Sequence, residues 1–173
     1  MSMSSFRVAP RRGHLERLQR IYSYLAKLRH AVIRVRTGEL DYSGLPDHEY
    51  DWTYTPYGNV KEQVPHDMPE PLGKYVTLMH FFDANLYHDV LTGRSVTGIL
   101  HLLNQTPIDW HAKKQATVET ATYGSEFVAG RTCIEQAIDL RTSLRYLGVP
   151  IRSKSIIFGD NKAMVDSANA PHA

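Results

Sequence analysis

Three acidic residues in this 173-residue chain stand where structural acids are uncommon. Asp83 follows the apolar, aromatic run Tyr75–Phe82, and Asp160 follows Ile156-Ile157-Phe158-Gly159. Both runs read as strands. The aspartates are therefore expected at strand carboxyl ends, the side of an open α/β sheet that takes ligands. Glu126 is the third. Steps of four and three from it reach Gly130, Cys133, Ala137, Leu140 and Leu144, the small and apolar face of a helix predicted over 117–147. A carboxylate on that inward face is unfavourable unless paired or metal-bound. Converging carboxylates suit a hard, oxygen-seeking cation, Mg²⁺ or Mn²⁺. Two such ions about 4 Å apart stabilise both the attacking water and the leaving oxygen of a phosphodiester. Taken singly, each acid has a plainer reading. Asp160-Asn161 can cap a helix, and Asp83-Ala84-Asn85 can form a turn. Glu119 and Glu135 fall on other helix faces and read as solvated acids.

Elements must carry these side chains to one point. Leu15, Leu18, Ile21, Tyr22, Leu25 and Leu28 form one stripe of a helix over 14–29. The alternation over Ala31–Arg36 predicts a short strand. Residues 37–73 hold five prolines and four glycines, a connector in which ladders are interrupted. Its aromatics Tyr50, Trp52, Tyr54 and Tyr57 suggest that it packs on something. Beyond it, strands are expected at 75–82, 95–103 and 107–110, with a turn at Asn104-Gln105-Thr106. The long helix stops at Gly148 and Pro150. A short strand at 155–158 and a helix over 161–170 follow. The order β-β-β-α-β-α is an α/β arrangement.

Bulk properties bound the function classes. Hydrophobic residues make up 42% and charged residues 22% of the chain, which excludes a disordered polyelectrolyte. No apolar run approaches the roughly 20 residues of a membrane span, and the N-terminus lacks a secretory apolar core. Cys133, the one cysteine, cannot form an internal disulfide. An intracellular protein is expected, in cytoplasm or nucleus, with no membrane partner. Net charge is +2, unevenly spread. Residues 1–36 hold nine Lys/Arg against Glu16, a net +8, while residues 37–72 hold eight acids against Lys61, a net −7. The basic arm can attract nucleic acid or simply form the solvated face of a helix. The nine histidines lack metal-ligand spacing, and His88 and His111 read as surface residues. Trp52 and Trp110 are expected in hydrophobic clusters.

The stretch from Phe82 to Asn161 resembles the ribonuclease H region of copia-type LTR retrotransposon polyproteins. The matching pieces are FDANLYHD, TGRSVTGILHLL, IDWHAKKQATVETATYGSEFVAG and IIFGDNKAMVDSA, in family order. PRRGHLERLQRIYSYL is similar to the end of the reverse transcriptase, where the connection to ribonuclease H begins. The resemblance implies a reverse transcriptase tail at 1–36, the Pro-rich acidic connector at 37–73 and a ribonuclease H-like domain at 74–173. It implies an incomplete ribonuclease H-like fold, a mixed β-sheet with helices preceded by an amphipathic helix. The implied activity is two-metal hydrolysis of RNA in RNA–DNA hybrids. Asp83, Glu126 and Asp160 match the family's metal-binding carboxylates, and Asp83 would bridge two Mg²⁺ or Mn²⁺ ions. Sensing of 2′-hydroxyls across the minor groove makes Asn85, Ser95 and Gln115 polar candidates for nucleic-acid contact. Lys113 and Lys114 are candidates for phosphate, or a solvated turn.

The chain departs from the family at its end. Copia-type members continue with basic segments, further sheet and helix, and a late aspartate that completes the metal site. Asp166 does not match that position. The expectation is therefore a truncated polyprotein fragment with impaired hydrolysis, its partners being a hybrid and the remaining polyprotein segments. The alternatives are an inactive remnant that at most binds nucleic acid, and an adaptor whose connector binds another protein.

Overall fold

The structure, a computed structural model, describes residues 8–32, 34–36, 38, 41, 43–45, 51–152 and 154–170. Arg7 of the basic arm, Ile33 of the expected short strand and Tyr50 of the connector lie outside the described residues. The chain divides into two compact units, Met1–Arg34 and Val35–Ala173.

The first unit holds helix α1 (Arg12–Lys27), set two residues earlier than its apolar periodicity predicts. No residue of α1 is buried, and Leu15, Ile21, Tyr22 and Leu25 of its apolar stripe are exposed. None of the described residues of 31–36 enters a strand, contrary to the expectation from their alternation.

The second unit has the expected order: β1 (Leu78–Asp89), β2 (Arg94–Leu103), β3 (Thr106–Lys114), α2 (Thr122–Tyr146), β4 (Ile156–Phe158) and α3 (Lys162–Asn169). It is an α/β unit built on a mixed sheet of strand order β3-β2-β1-β4. β1, β2 and β3 form an antiparallel meander, and β4 joins β1 in parallel, Phe81 opposite Phe158. Strand side chains alternate between faces, and on β1 Leu78, His80, Phe82 and Ala84 are buried while Phe81, Asp83 and Asn85 are exposed. The buried face meets Ala129, Cys133 and Ala137, small residues that let α2 approach the sheet closely. Met164 of α3 completes the core with Phe82, Ala84 and Ile99.

Two strands run further than their hydrophobic patterns suggest. β1 continues through Asp83 to Asp89, so Asp83-Ala84-Asn85 is strand and not a turn. β3 continues to Lys114, placing Lys113 and Lys114 opposite Thr97 and Val96 and outside any turn. Pairing with β2 outweighs local polarity in both cases. Trp110 does not enter a hydrophobic cluster. It sits on β3 at the sheet edge and is 67% exposed.

The connector's described part has turns and bends and no helix or named strand before β1, as its prolines require. Glu62 anchors it. Its carboxylate accepts from Arg141 (Nη2 at 2.6 Å, Nε at 3.2 Å) and from Arg145 Nη2 at 2.8 Å, both on α2. No helix among the described residues is long and apolar enough to cross a membrane.

Candidate metal centre

The sheet brings Asp83 and Asp160 together by ending β4 early. β4 stops at Phe158, opposite Phe81, and Gly159 leads directly to Asp160. β1 runs on past this point, so Asp83 emerges beside the end of its parallel neighbour. Asp83 thus lies within its strand rather than at the terminus, but where parallel pairing ends. Ala84 follows, and its backbone N–H donates to Glu126 Oε1 at 3.2 Å. That contact draws the glutamate from the second turn of α2 towards β1. One oxygen from each of Asp83, Glu126 and Asp160 falls within 4.8 Å of the others.

Gly159 and Gly130 make this convergence possible. A Cβ on Gly159 would stand 2.3 Å from Phe82 Cζ, and one on Gly130 would stand 2.3 Å from Met164 Cε and 3.2 Å from Phe82 Cζ. The Phe82 ring therefore fills the space that these two glycines leave. Asn161, not Asp160, caps α3: its Oδ1 accepts the Met164 N–H at 3.1 Å. The capping role is filled by its neighbour, and Asp160 is left to the acidic cluster.

The three acids differ in environment. Asp83 and Asp160 are exposed, whereas Glu126 is 3% exposed. Burial raises the Glu126 carboxyl above its ordinary range, opposed by the Ala84 N–H and reinforced by the charges of Asp160 and Asp83. Its second oxygen, Oε2, is buried and meets no hydrogen-bond partner. A buried carboxylate oxygen without a donor, on a residue that converges with two further carboxylates, lacks the compensation that burial of charge demands. A bound metal ion would supply it. The all-carboxylate donor set is hard and suits an oxygen-seeking ion. The acidic cluster can hold a metal ion.

The other candidates separate. Asn85 is exposed, and its Nδ2 lies 3.1 Å from His88 Nδ1. Lys113 is exposed on β3, while Lys114 forms an ion pair with Asp89. That pairing holds the Asp89 carboxyl down at about 2. Ser95 and Gln115 are buried, at 0% and 5% exposure, and offer no side chain to an external strand. Both sit on the α2 face of the sheet, which the polar character of their segments hides. On the opposite face an open concavity of about 590 Å³ adjoins Asp83 and Asp160, bordered by Phe81, Leu100, Trp110 and Phe158. Phe81 and Phe158 stack there with ring centroids 4.7 Å apart.

Sequence reasoning missed two buried polar groups. Arg141 occupies the α2 face expected to be apolar, and donates to Ser155 Oγ at 2.8 Å and the Arg152 carbonyl at 3.3 Å besides Glu62. His80 and His101 meet beneath α2, Nδ1 to Nδ1 at 2.6 Å, both essentially inaccessible. Alternation along β1 and β2 puts both rings on the buried face and was the available signal.

Compared with known proteins, the chain matches no family model, no curated protein and no solved structure. Its second unit is an α/β unit with a mixed four-stranded sheet and an acidic cluster able to take a metal ion.

Proposed function

We propose that this chain is a ribonuclease H-like module of copia-type retrotransposon origin, which hydrolyses the RNA strand of RNA–DNA hybrids with Mg²⁺ or Mn²⁺. The observation that carries this reading is the convergence of Asp83, Glu126 and Asp160 within 4.8 Å, with a buried Glu126 oxygen left without a partner. Asp83, Glu126 and Asp160 would hold divalent ions, which would polarise the scissile phosphate and supply a nucleophilic water at neutral pH. The chain's own residues do the rest. Asp83 and Asp160, exposed, are the carboxylates that a phosphodiester approaches first. Glu126, fixed from behind by the Ala84 N–H, holds the buried side of the site. No Ser, Cys or His nucleophile is needed. Asn85, exposed two residues beyond Asp83, is the candidate to meet a 2′-hydroxyl; Lys113, exposed but in register with Thr97 on the other face of the sheet, is a candidate for phosphate.

A labelled RNA–DNA hybrid tests the reading, incubated with Mg²⁺ or Mn²⁺ and the wild-type chain or Asp83→Asn. Metal-dependent cleavage of the RNA strand, lost in the variant, is expected. Hybrid binding without cleavage by the wild type, at any metal concentration, would identify an inactive remnant instead.

A further inference from the structure

We infer that Gln115 is a positioning residue for the metal centre, setting Glu126 by stapling α2 to the sheet; the inference rests on the metal-site reading above. Gln115 follows the last residue of β3, and its backbone N–H donates to the Ser95 carbonyl at 2.8 Å, prolonging the β2–β3 ladder. Its side chain turns inward. The one amide nitrogen, Nε2, donates to Thr97 Oγ1 on β2 at 3.0 Å and to the Ser125 carbonyl on α2 at 2.8 Å. Both protons of the amide are thus used, one on the sheet and one on the helix. Ser125 immediately precedes Glu126.

The bond to Ser125 is not one that the helix needs. Ser125 lies inside α2, where its carbonyl is already placed to accept from four residues on. Gln115 takes the remaining lone pair, so the contact locates the helix laterally without capping it. Glu126 itself is held to the sheet by a single 3.2 Å bond from Ala84, a weak tether for a carboxylate that must stay within metal-ligand distance. The surroundings also argue against simple packing. Gln115 Oε1 and Ser95 Oγ are buried here without partners. The Oε1 orphan is a cost that packing alone does not call for, while an apolar replacement would in turn deprive the buried Thr97 Oγ1 of its donor. What the amide adds is a fixed register between β2 and the turn of α2 that bears the buried ligand. Groups that orient metal ligands in this way commonly change metal affinity when removed.

Titration of the full chain with Mn²⁺, read by the paramagnetic resonance of the free ion and paired with thermal melting of the apo protein, tests this. Gln115→Met keeps the volume and removes both donors. Thr97→Val removes one acceptor, and Thr97→Ser keeps it. The expected result is Mn²⁺ binding weakened roughly tenfold in Gln115→Met, less in Thr97→Val, and near wild type in Thr97→Ser. Mn²⁺ affinity within about twofold of wild type in Gln115→Met and Thr97→Val, whatever happens to melting, would show a structural role only and overturn the inference. If Gln115→Met does not fold, the Thr97→Val and Thr97→Ser pair decides the matter in the same way. A wild-type chain that takes up no Mn²⁺ overturns the metal site and this inference together, an outcome separable from the first because there the wild type binds.

Discussion

Glu126 reaches from α2 to accept the backbone N–H of Ala84, one residue beyond Asp83 on β1, while its other oxygen stays buried without a donor. The glutamate is thereby aimed at the two aspartates but left undercompensated in the apo protein. Its carboxyl is raised, chiefly by burial. A carboxyl raised in the folded state stabilises the protein below its unfolded value of about 4.5, and that stability is lost as pH rises through the folded value. Glu126→Gln keeps an acceptor for Ala84 and removes the charge. It should raise the apo melting temperature at pH 7, with the difference from wild type disappearing near pH 4. A variant that melts lower than wild type at pH 7 and equally so at pH 4 would show that the charge is already compensated.

Metal should reverse that balance. A ligand that binds only the folded state stabilises it by about 2.7 kcal/mol at a hundredfold excess over its dissociation constant. Saturating Mg²⁺ or Mn²⁺ is therefore expected to raise the wild-type melting temperature by several degrees. Asp160→Asn and Asp83→Asn should each abolish most of the increase while leaving the apo protein folded, because both side chains are exposed. The same increase should fade on acidification, as protons compete for Glu126 first. Equal metal-induced shifts in wild type and both variants would place the ion elsewhere.

Gly159 links core packing to the site. A methyl group there would meet the Phe82 ring at 2.3 Å, and the next residue is Asp160. Gly159→Ala should destabilise by about 1–3 kcal/mol, the usual scale of overpacking, and weaken metal binding by displacing Asp160. Phe82→Leu in the same chain should restore part of both, since it removes the ring atoms in conflict. If Gly159→Ala binds Mn²⁺ like wild type, the backbone at Asp160 relaxes independently of the core.

Much of this was legible in the residues. The run of apolar and aromatic side chains before Asp83, the glycine before Asp160 and the small-residue face of α2 specify elements that must pack together. The order of all six elements of the second unit follows from periodicity. What escaped was pairing beyond the hydrophobic core. β1 passes Asp83 because β2 offers it a partner as far as Asp89, a relation that no local pattern carries. Ser95 and Gln115 look like surface polar residues, and only their place beneath α2 shows that they are interior. Arg141 is buried against expectation because Glu62, 79 residues away in the connector, meets it with both carboxylate oxygens. Such a contact depends on tertiary placement, and a single sequence gives it no signature.

His80 and His101 hold a last testable consequence. With 2.6 Å between their Nδ1 atoms, one ring must donate and the other accept, so the pair excludes a second proton on that edge. His101 Nε2 lies 3.1 Å from Gln136 Oε1, and the Arg141 guanidinium opposes further positive charge nearby. Burial above all, then His101 and Arg141, pushes His80 down to about 4. A histidine depressed in the folded state contributes stability that is present above its unfolded value of 6.5 and lost as pH falls towards 4. The loss should be on the order of 3 kcal/mol, at about 1.4 kcal/mol for each pKa unit. Glu126 gains stability over part of the same range, so the measurement belongs in the Glu126→Gln background. Denaturant unfolding of that variant should show stability falling between pH 6.5 and pH 4. Replacing both rings, His80→Leu with His101→Leu, should flatten the curve. An imidazole resonance for His80 that titrates near 6.5 would contradict this account, because it would mean that the interior beneath α2 accepts a cation without penalty.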